Sequence, residues 1–242
     1  MSEPKLELFE AEGLARVLCV VAHPDDMEYG MSAAVAKWVD QGIEVAYLLL
    51  TSGEAGMQIP PEEVGPLRAA EQRAACELVG VRDLTILNHP DGVLMPSLDL
   101  RRDIARQIRR FRPDAVVTMT WELHTGWGGL NQADHRVAGL AALDAIRDAD
   151  NTWVFPELAK DEGLPKWKAR WLLVGAHSQP SHGVDVSGEP LAKGVASLAA
   201  HEQYLAALPD HPKPEEFIPA ATAETGALLG VANAVPFRVY EP

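Results

Sequence analysis

Residues 17–30 read Val-Leu-Cys-Val-Val-Ala-His-Pro-Asp-Asp-Met-Glu-Tyr-Gly. The first six, Val17–Ala22, form a continuous apolar run, as a central parallel strand buried on both faces requires. The run stops abruptly at four residues that carry an imidazole, a proline and two carboxyl groups. Outward from this point, apolar β-rich runs alternate with Ala-rich helical patterns. A helix is predicted over Met31–Gln41, stopped by Gly42, with a second strand over Glu44–Leu50. Thr51–Pro66 is rich in Gly and Pro and too long for a plain connection, so it is expected to be a loop or lid. A helix over Leu67–Val79 ends at Gly80, a short strand over Asp83–Leu87 follows, and His89-Pro90-Asp91-Gly92 makes a turn. Leu98–Phe111 is helical up to Pro113, Ala115–Thr120 is the fourth strand, and a helix runs from about Asp134 to Ala149.

Four strand–helix units in succession predict an α/β fold: a Rossmann-like, mainly parallel sheet with helices on both faces. Beyond residue 150 the pattern weakens. Trp171–Gly175, Gly183–Val186 and Phe237–Tyr240 read as strands, Glu189–Leu208 as one helix, and Pro209–Pro219 as Pro-rich surface. The 242 residues are expected to form a single domain, with a core over about 14–150 and a smaller C-terminal extension over about 151–242.

Composition limits the partners. The chain is 47% hydrophobic, which excludes extensive disorder, and its 35 acidic against 21 basic residues give a net charge of −14. Such a balance repels a phosphate backbone, and the densest basic stretch, Arg101–Arg112, reads as a solvated helix face, so no nucleic-acid partner is expected. No apolar run approaches a membrane span. Met1-Ser2-Glu3-Pro4 has neither the basic nor the apolar part of a signal peptide, and Cys19 and Cys76 lie in apolar patterns without a disulfide role. The expected compartment is the cytoplasm.

In an open parallel sheet, ligands collect beyond the carboxyl ends of the strands. The turn after the first strand has no glycine before Gly30, so it cannot cradle a pyrophosphate as a dinucleotide-binding turn does. It suits a metal instead. Two carboxylates and an imidazole on a turn stiffened by Pro24 can converge on a divalent ion, and adjacent carboxylates at the end of a buried strand call for a cation. An N-cap would account for one Asp, but not for His23-Pro24-Asp25-Asp26 as a unit. Of the eight His, His135 at the start of the helix after the fourth strand is the best-placed further ligand, provided that the first and fourth strands are neighbours.

These residues carry a resemblance. Ala22-His23-Pro24-Asp25-Asp26-x-Glu28-x-Gly30, with a later Asp134-His135, is similar to the LmbE-like (PIG-L) family of zinc-dependent N-deacetylases. Further likenesses keep the same order: Thr51-Ser52-Gly53-Glu54 with Gly56, Arg68 and Glu71, Asp91-Gly92, Val184-Asp185-Val186 and His201. The resemblance implies zinc held by His23, Asp26 and His135, with Asp25 as general base; one carboxylate and two imidazoles could also hold Fe²⁺ or another first-row ion. It implies Arg68 and Asp91 as substrate-binding residues. The implied activity is hydrolysis of the N-acetyl group of a small acetylated amino sugar or glycoside. The alternatives are an amidase for a larger sugar–thiol conjugate and a non-catalytic sugar- or metal-binding module. A homo-oligomer is also implied.

One position departs from the family. Its third motif is usually His-x-Asp-His, whereas the first His is here Gln132, which can donate a hydrogen bond but cannot transfer a proton. Gln132 or Asn131 would serve weakly, or His124, His177 or His182 would take the role. Trp121, Trp127 and Trp153 could stack on a sugar or anchor loops. His201 reads as a packed or pocket-lining residue, and His89 and His211 as exposed turn residues.

Overall fold

The computed structural model of the chain describes residues 6–242. Residues 1–5, on which the reading of the N-terminus rests, lie outside the described residues. The strands are β1 (Glu7–Leu8), β2 (Arg16–Val21), β3 (Glu44–Leu49), β4 (Asp83–Ile86), β5 (Ala115–Met119), β6 (Trp171–Gly175), β7 (His182–Asp185) and β8 (Ala234–Tyr240). The helices are α1 (Ser32–Asp40), α2 (Pro61–Val79), α3 (Leu98–Phe111), α4 (Ala133–Ala149), α5 (Pro156–Lys160), α6 (Glu189–Ala199), α7 (Glu202–Ala206) and α8 (Pro214–Leu229). One eight-stranded sheet runs β1-β7-β8-β6-β5-β2-β3-β4. Only β8 is antiparallel to its neighbours, β6 and β7. The C-terminal extension therefore completes the same sheet as the core.

The alternation of side chains along β2 builds two cores at once. Val17, Cys19 and Val21 join a cluster with Ala34, Val35 and Trp38 of α1 and Val79 of α2. Leu18, Val20 and Ala22 join another with Leu100, Ile104 and Ile108 of α3 and Ala138, Ala142 and Ala145 of α4. Both faces are thus covered, which is why the strand reads as uninterrupted apolar sequence. Strand β2 lies between β3 and β5, so the carboxyl end of β5 opens beside the turn after β2. At Gly139 a side chain would overlap the Met119 carbonyl oxygen; its absence lets α4 approach the end of β5 and present its first turn at that edge.

Strand β1 and helix α5 lie outside the sequence expectation, β8 begins three residues before the expected Phe237, and three helix boundaries differ for local reasons. Helix α2 starts at Pro61 rather than Leu67 and carries Pro66 within it. Pro61 occupies the first helical position, where a missing N–H costs nothing, and the bond lost at Pro66 falls on an exposed face. Helix α8 repeats the device with Pro214 and Pro219, converting the expected Pro-rich surface into a helix. The helix expected over Glu189–Leu208 breaks at His201, whose backbone leaves the helical region at ψ 53° and turns its side chain inward. Arg109 also departs from a solvated helix face: it is 1% exposed, between the ends of α3 and α4. Cys19 and Cys76 are buried free thiols. No helix among the described residues is long and apolar enough to cross a membrane.

Candidate metal centre

The turn after β2 is held by its own side chains. The His23 N–H donates to Asp26 Oδ2 at 2.7 Å, closing the turn, and Asp25 sits at φ +89°, a conformation unusual for a residue other than glycine. Asp26 then lies between two imidazoles. Its Oδ1 is 3.1 Å from His135 Nε2 and its Oδ2 is 3.6 Å from His23 Nδ1. The two rings have centroids 5.2 Å apart. One donor atom from each of His23, Asp26 and His135 lies within 4.8 Å of the others. Two stretches 112 residues apart in sequence meet here, as the neighbouring places of β2 and β5 require.

The far side of each ring is fixed as well. His23 Nε2 is 2.9 Å from Asp91 Oδ1 and 3.4 Å from Asp134 Oδ2. Asp134 in turn accepts from the N–H groups of Gly92 and Leu94 at 2.8 and 3.1 Å. His135 Nδ1 faces Asn131 Oδ1 at 3.2 Å. Each ring thus has an acceptor beside its outer nitrogen and Asp26 beside its inner one, so both imidazoles are held in orientation from two sides, as outer partners hold a ligand imidazole.

Asp25 has a cation of its own. Its carboxylate meets Arg68 Nη2 at 3.0 Å, and the same guanidinium donates to the carbonyls of Gly53 and Pro24 at 3.1 and 2.6 Å. A Cβ at Gly53 or Gly56 would overlap the guanidinium, so the two glycines after β3 make room for a buried arginine. The ring of Tyr204, on α7, covers the other face of the guanidinium, with Cζ 3.9 Å from the ring centroid.

The charges leave a strong local field. Burial lowers the pKa of the His23 imidazole, but the Asp26 charge and hydrogen bonds to Asp134, Asp26 and Asp91 outweigh it and raise the value to about 12. Burial acts to raise Asp26, yet His135 and His23 hold it well below the usual carboxylate range. Asp91 and Asp134 are lowered in the same way, chiefly by hydrogen bonds from His23 against their burial. Asp25 goes the other way: burial and the Asp26 charge, opposed by Arg68, push it up to about 6. Neighbouring carboxyl groups whose affinities for a proton are driven apart are a mark of separate roles in acid–base chemistry.

The other singled-out residues scatter. Asp91 is taken up by His23, by the Ala55 N–H at 2.8 Å and by the Thr51 hydroxyl at 3.3 Å. Asn131 uses its amide to donate to the carbonyls of Thr120 and Glu122, so it braces a loop. Gln132 is exposed at the start of α4, and its side chain makes no capping bond. His177 is held between the Gln179 N–H and the Tyr240 hydroxyl, and it meets the Trp121 ring edge-on. His182 lies on β7, with β8, β6 and β5 between it and β2. Trp153 is 80% exposed after the end of α4, at the opposite edge of the sheet, so it is no part of a sugar wall here. His89 and His211 are partly buried rather than exposed: the first pairs with Asp103, the second with the Tyr29 hydroxyl at 2.7 Å. Sequence reasoning passed over Gln72, whose only early signal was its place one turn after Arg68.

The profile of the PIG-L family, described as GlcNAc-PI de-N-acetylase, matches residues 18–146. The diacetylchitobiose deacetylase of Thermococcus kodakarensis is 30% identical over 203 residues, covering 77% of this chain and 69% of that protein. A 1D-myo-inositol 2-acetamido-2-deoxy-alpha-D-glucopyranoside deacetylase of Kineococcus radiotolerans is 33% identical over 173 residues, 55% of this chain and 47% of that one. The solved N,N'-diacetylchitobiose deacetylase of Pyrococcus horikoshii, complexed with an inhibitor, superposes with a TM-score of 0.85 at 24% identity, covering 96% and 85% of the two chains.

Proposed function

Because the chain belongs to the PIG-L (LmbE-like) family, we propose that it is a metal-dependent hydrolase that removes the N-acetyl group from a small acetylated amino sugar. The convergence of His23, Asp26 and His135, with Asp25 beside them, carries this reading. The donor set fits zinc. Imidazole nitrogens and a carboxylate oxygen are the donors that zinc takes, and one from each of the three residues lies within 4.8 Å of the others. Two imidazoles and one carboxylate leave a position open for a reacting molecule, and they would also accept Fe²⁺. The two unpaired thiols support a reducing, cytoplasmic setting.

The chemistry a divalent ion supplies at such a site is polarisation of a carbonyl and acidification of water. The rest falls to the chain. Asp25 takes a proton from the attacking water as oxygen bonds to the acetyl carbon. It then returns the proton to the nitrogen as the C–N bond breaks, releasing acetate and an amine. Arg68 holds the Asp25 carboxylate in one direction through the move. Arg68 and Asp91 are also proposed to contact the polar sugar, with Gln132 as an uncharged donor to the developing oxyanion. Retention of Asp25 beside the ligands weighs against a binding-only module, which needs no base.

Acetate release from N,N'-diacetylchitobiose and from N-acetylglucosamine provides the test, before and after chelation and after re-addition of zinc. Turnover should vanish with chelation and return with zinc. Release that survives complete metal removal would overturn the reading.

A further inference from the structure

Behind the base lies a buried polar chain that the reaction described above leaves unused. We propose that Gln72 is a positioning residue for Asp25, and that the charge of Glu28 fixes which way the Gln72 amide faces. This rests on the reading of Asp25 as the base.

Asp25 lies at φ +89°, a backbone conformation that is strained in residues other than glycine and persists only where the surroundings impose it. Its peptide is held from both ends. The Asp25 carbonyl accepts from the N–H groups of Glu28 and Tyr29 at 2.9 and 3.1 Å. The Asp25 N–H donates to Gln72 Oε1 at 2.9 Å. Gln72, 1% exposed, uses its other end to donate to Glu28 Oε1 at 3.1 Å. Glu28, also 1% exposed, accepts at the same oxygen from the Ser197 hydroxyl of α6 at 3.3 Å. Its second oxygen faces His201 Nε2 at 3.8 Å.

A primary amide has one accepting end and one donating end. Gln72 stands between a backbone N–H, which can only donate, and a carboxylate, which accepts. One orientation satisfies both neighbours, and the flipped one sets NH₂ against N–H and C=O against a carboxylate. Glu28 therefore reaches back through a residue of α2 to the backbone of the residue three before it. Five of the seven buried side-chain atoms without a partner among the described residues belong to Glu28, Arg68, Glu71 and His201, all in this region. The links from the Asp25 N–H through Gln72 to Glu28 Oε1 are thus made in a pocket that is otherwise under-bonded, the second Glu28 oxygen included. Satisfied buried links of this kind rigidify what they touch.

The test uses full-length, zinc-loaded protein with N,N'-diacetylchitobiose. Gln72→Met removes both hydrogen bonds at nearly constant volume, and Gln72→Glu sets two carboxylates face to face. Both should lower kcat by about tenfold or more, the usual effect of misplacing a reacting group, with KM and zinc content per chain held near the parent values. The double change Glu28→Gln with Gln72→Glu restores the order of donors and acceptors, because the amide now at 28 donates to the carboxylate now at 72. It should recover most of the lost kcat. Hydrogen–deuterium exchange of the peptide spanning residues 22–30 should quicken in both single variants and return to the parent rate in the double one. Exchange is readable in a chain with no turnover, so failure of the deacetylase reading shows in the parent's inactivity alone. Parent-like exchange in Gln72→Met, or a double variant as impaired as Gln72→Glu, would overturn the positioning role.

Discussion

The two edges of the sheet bury charge in opposite ways. At the amino edge, the Arg109 guanidinium donates to five backbone carbonyls, those of Ala149, Phe155, Asp148, Asn151 and Val154, at 2.8–3.1 Å. Beside it, Arg101 grips the Asp148 carboxylate at 2.9 and 2.8 Å. The arginine closes the C-terminal end of α4, where freed carbonyls and the helix dipole favour a cation. At the carboxyl edge, the carboxylates of Asp25, Asp26, Asp91 and Asp134 share one guanidinium and two imidazoles, and buried polar atoms near them lack partners. Charge whose partners are complete within the chain is scaffolding. Charge that its own neighbours leave acidic calls for a cation from outside, and burial keeps that demand strong.

The sharpest way to break this contrast is to remove one charge from each edge. Asp25→Asn should cut turnover by about two to four decades, the range for losing a general acid–base group, while elemental analysis finds the metal retained. Parent-like turnover would take Asp25 out of its role. Arg109→Met should leave kcat per folded molecule unchanged and lower the free energy of unfolding by about 3 kcal/mol, since removing a charged partner strands several buried carbonyls. Urea denaturation reads the loss. If kcat falls along with stability, the edges are coupled and the distinction between scaffold and site fails.

Much of this was legible in residues 17–30. An apolar run ended by His-Pro-Asp-Asp marks a central strand and the chemistry at its end, because burial on both faces and clustered like charge each leave a local signature. The partnership of His23 with His135 was legible only through strand order, which periodicity does not contain. The inner roles were hidden for another reason. Asp91 reads as a turn residue until its oxygen is seen on His23, and Gln72 as one more polar position in a helix until its amide is seen between Asp25 and Glu28. Such roles depend on atoms brought from distant segments. The prolines misled in a simpler way: Pro66 and Pro219 lie inside helices because each falls early, on a face where the lost bond can meet water.

The smallest effects concern the histidines named as stand-ins for the imidazole missing at Gln132, and the two edges rank them. His124 is exposed on the loop that ends at Asn131, the residue facing the candidate ligand His135, and its side chain has no hydrogen-bond partner among the described residues. His124→Ala should lower kcat by no more than about tenfold, because a donor on an exposed loop is poorly preorganised for a developing oxyanion. His177 is tied on both nitrogens, and burial lowers its pKa, so it is a neutral bracing group. His177→Ala should therefore reduce thermal stability slightly and turnover less than His124→Ala does. His182 packs edge-on against Phe9, four strand places from β2, which at about 4.8 Å per strand puts it some 19 Å to the side. His182→Ala should leave turnover unchanged. A loss there comparable to that of His124→Ala would mean that catalysis reaches across the sheet, and that the carboxyl edge is not a self-contained site.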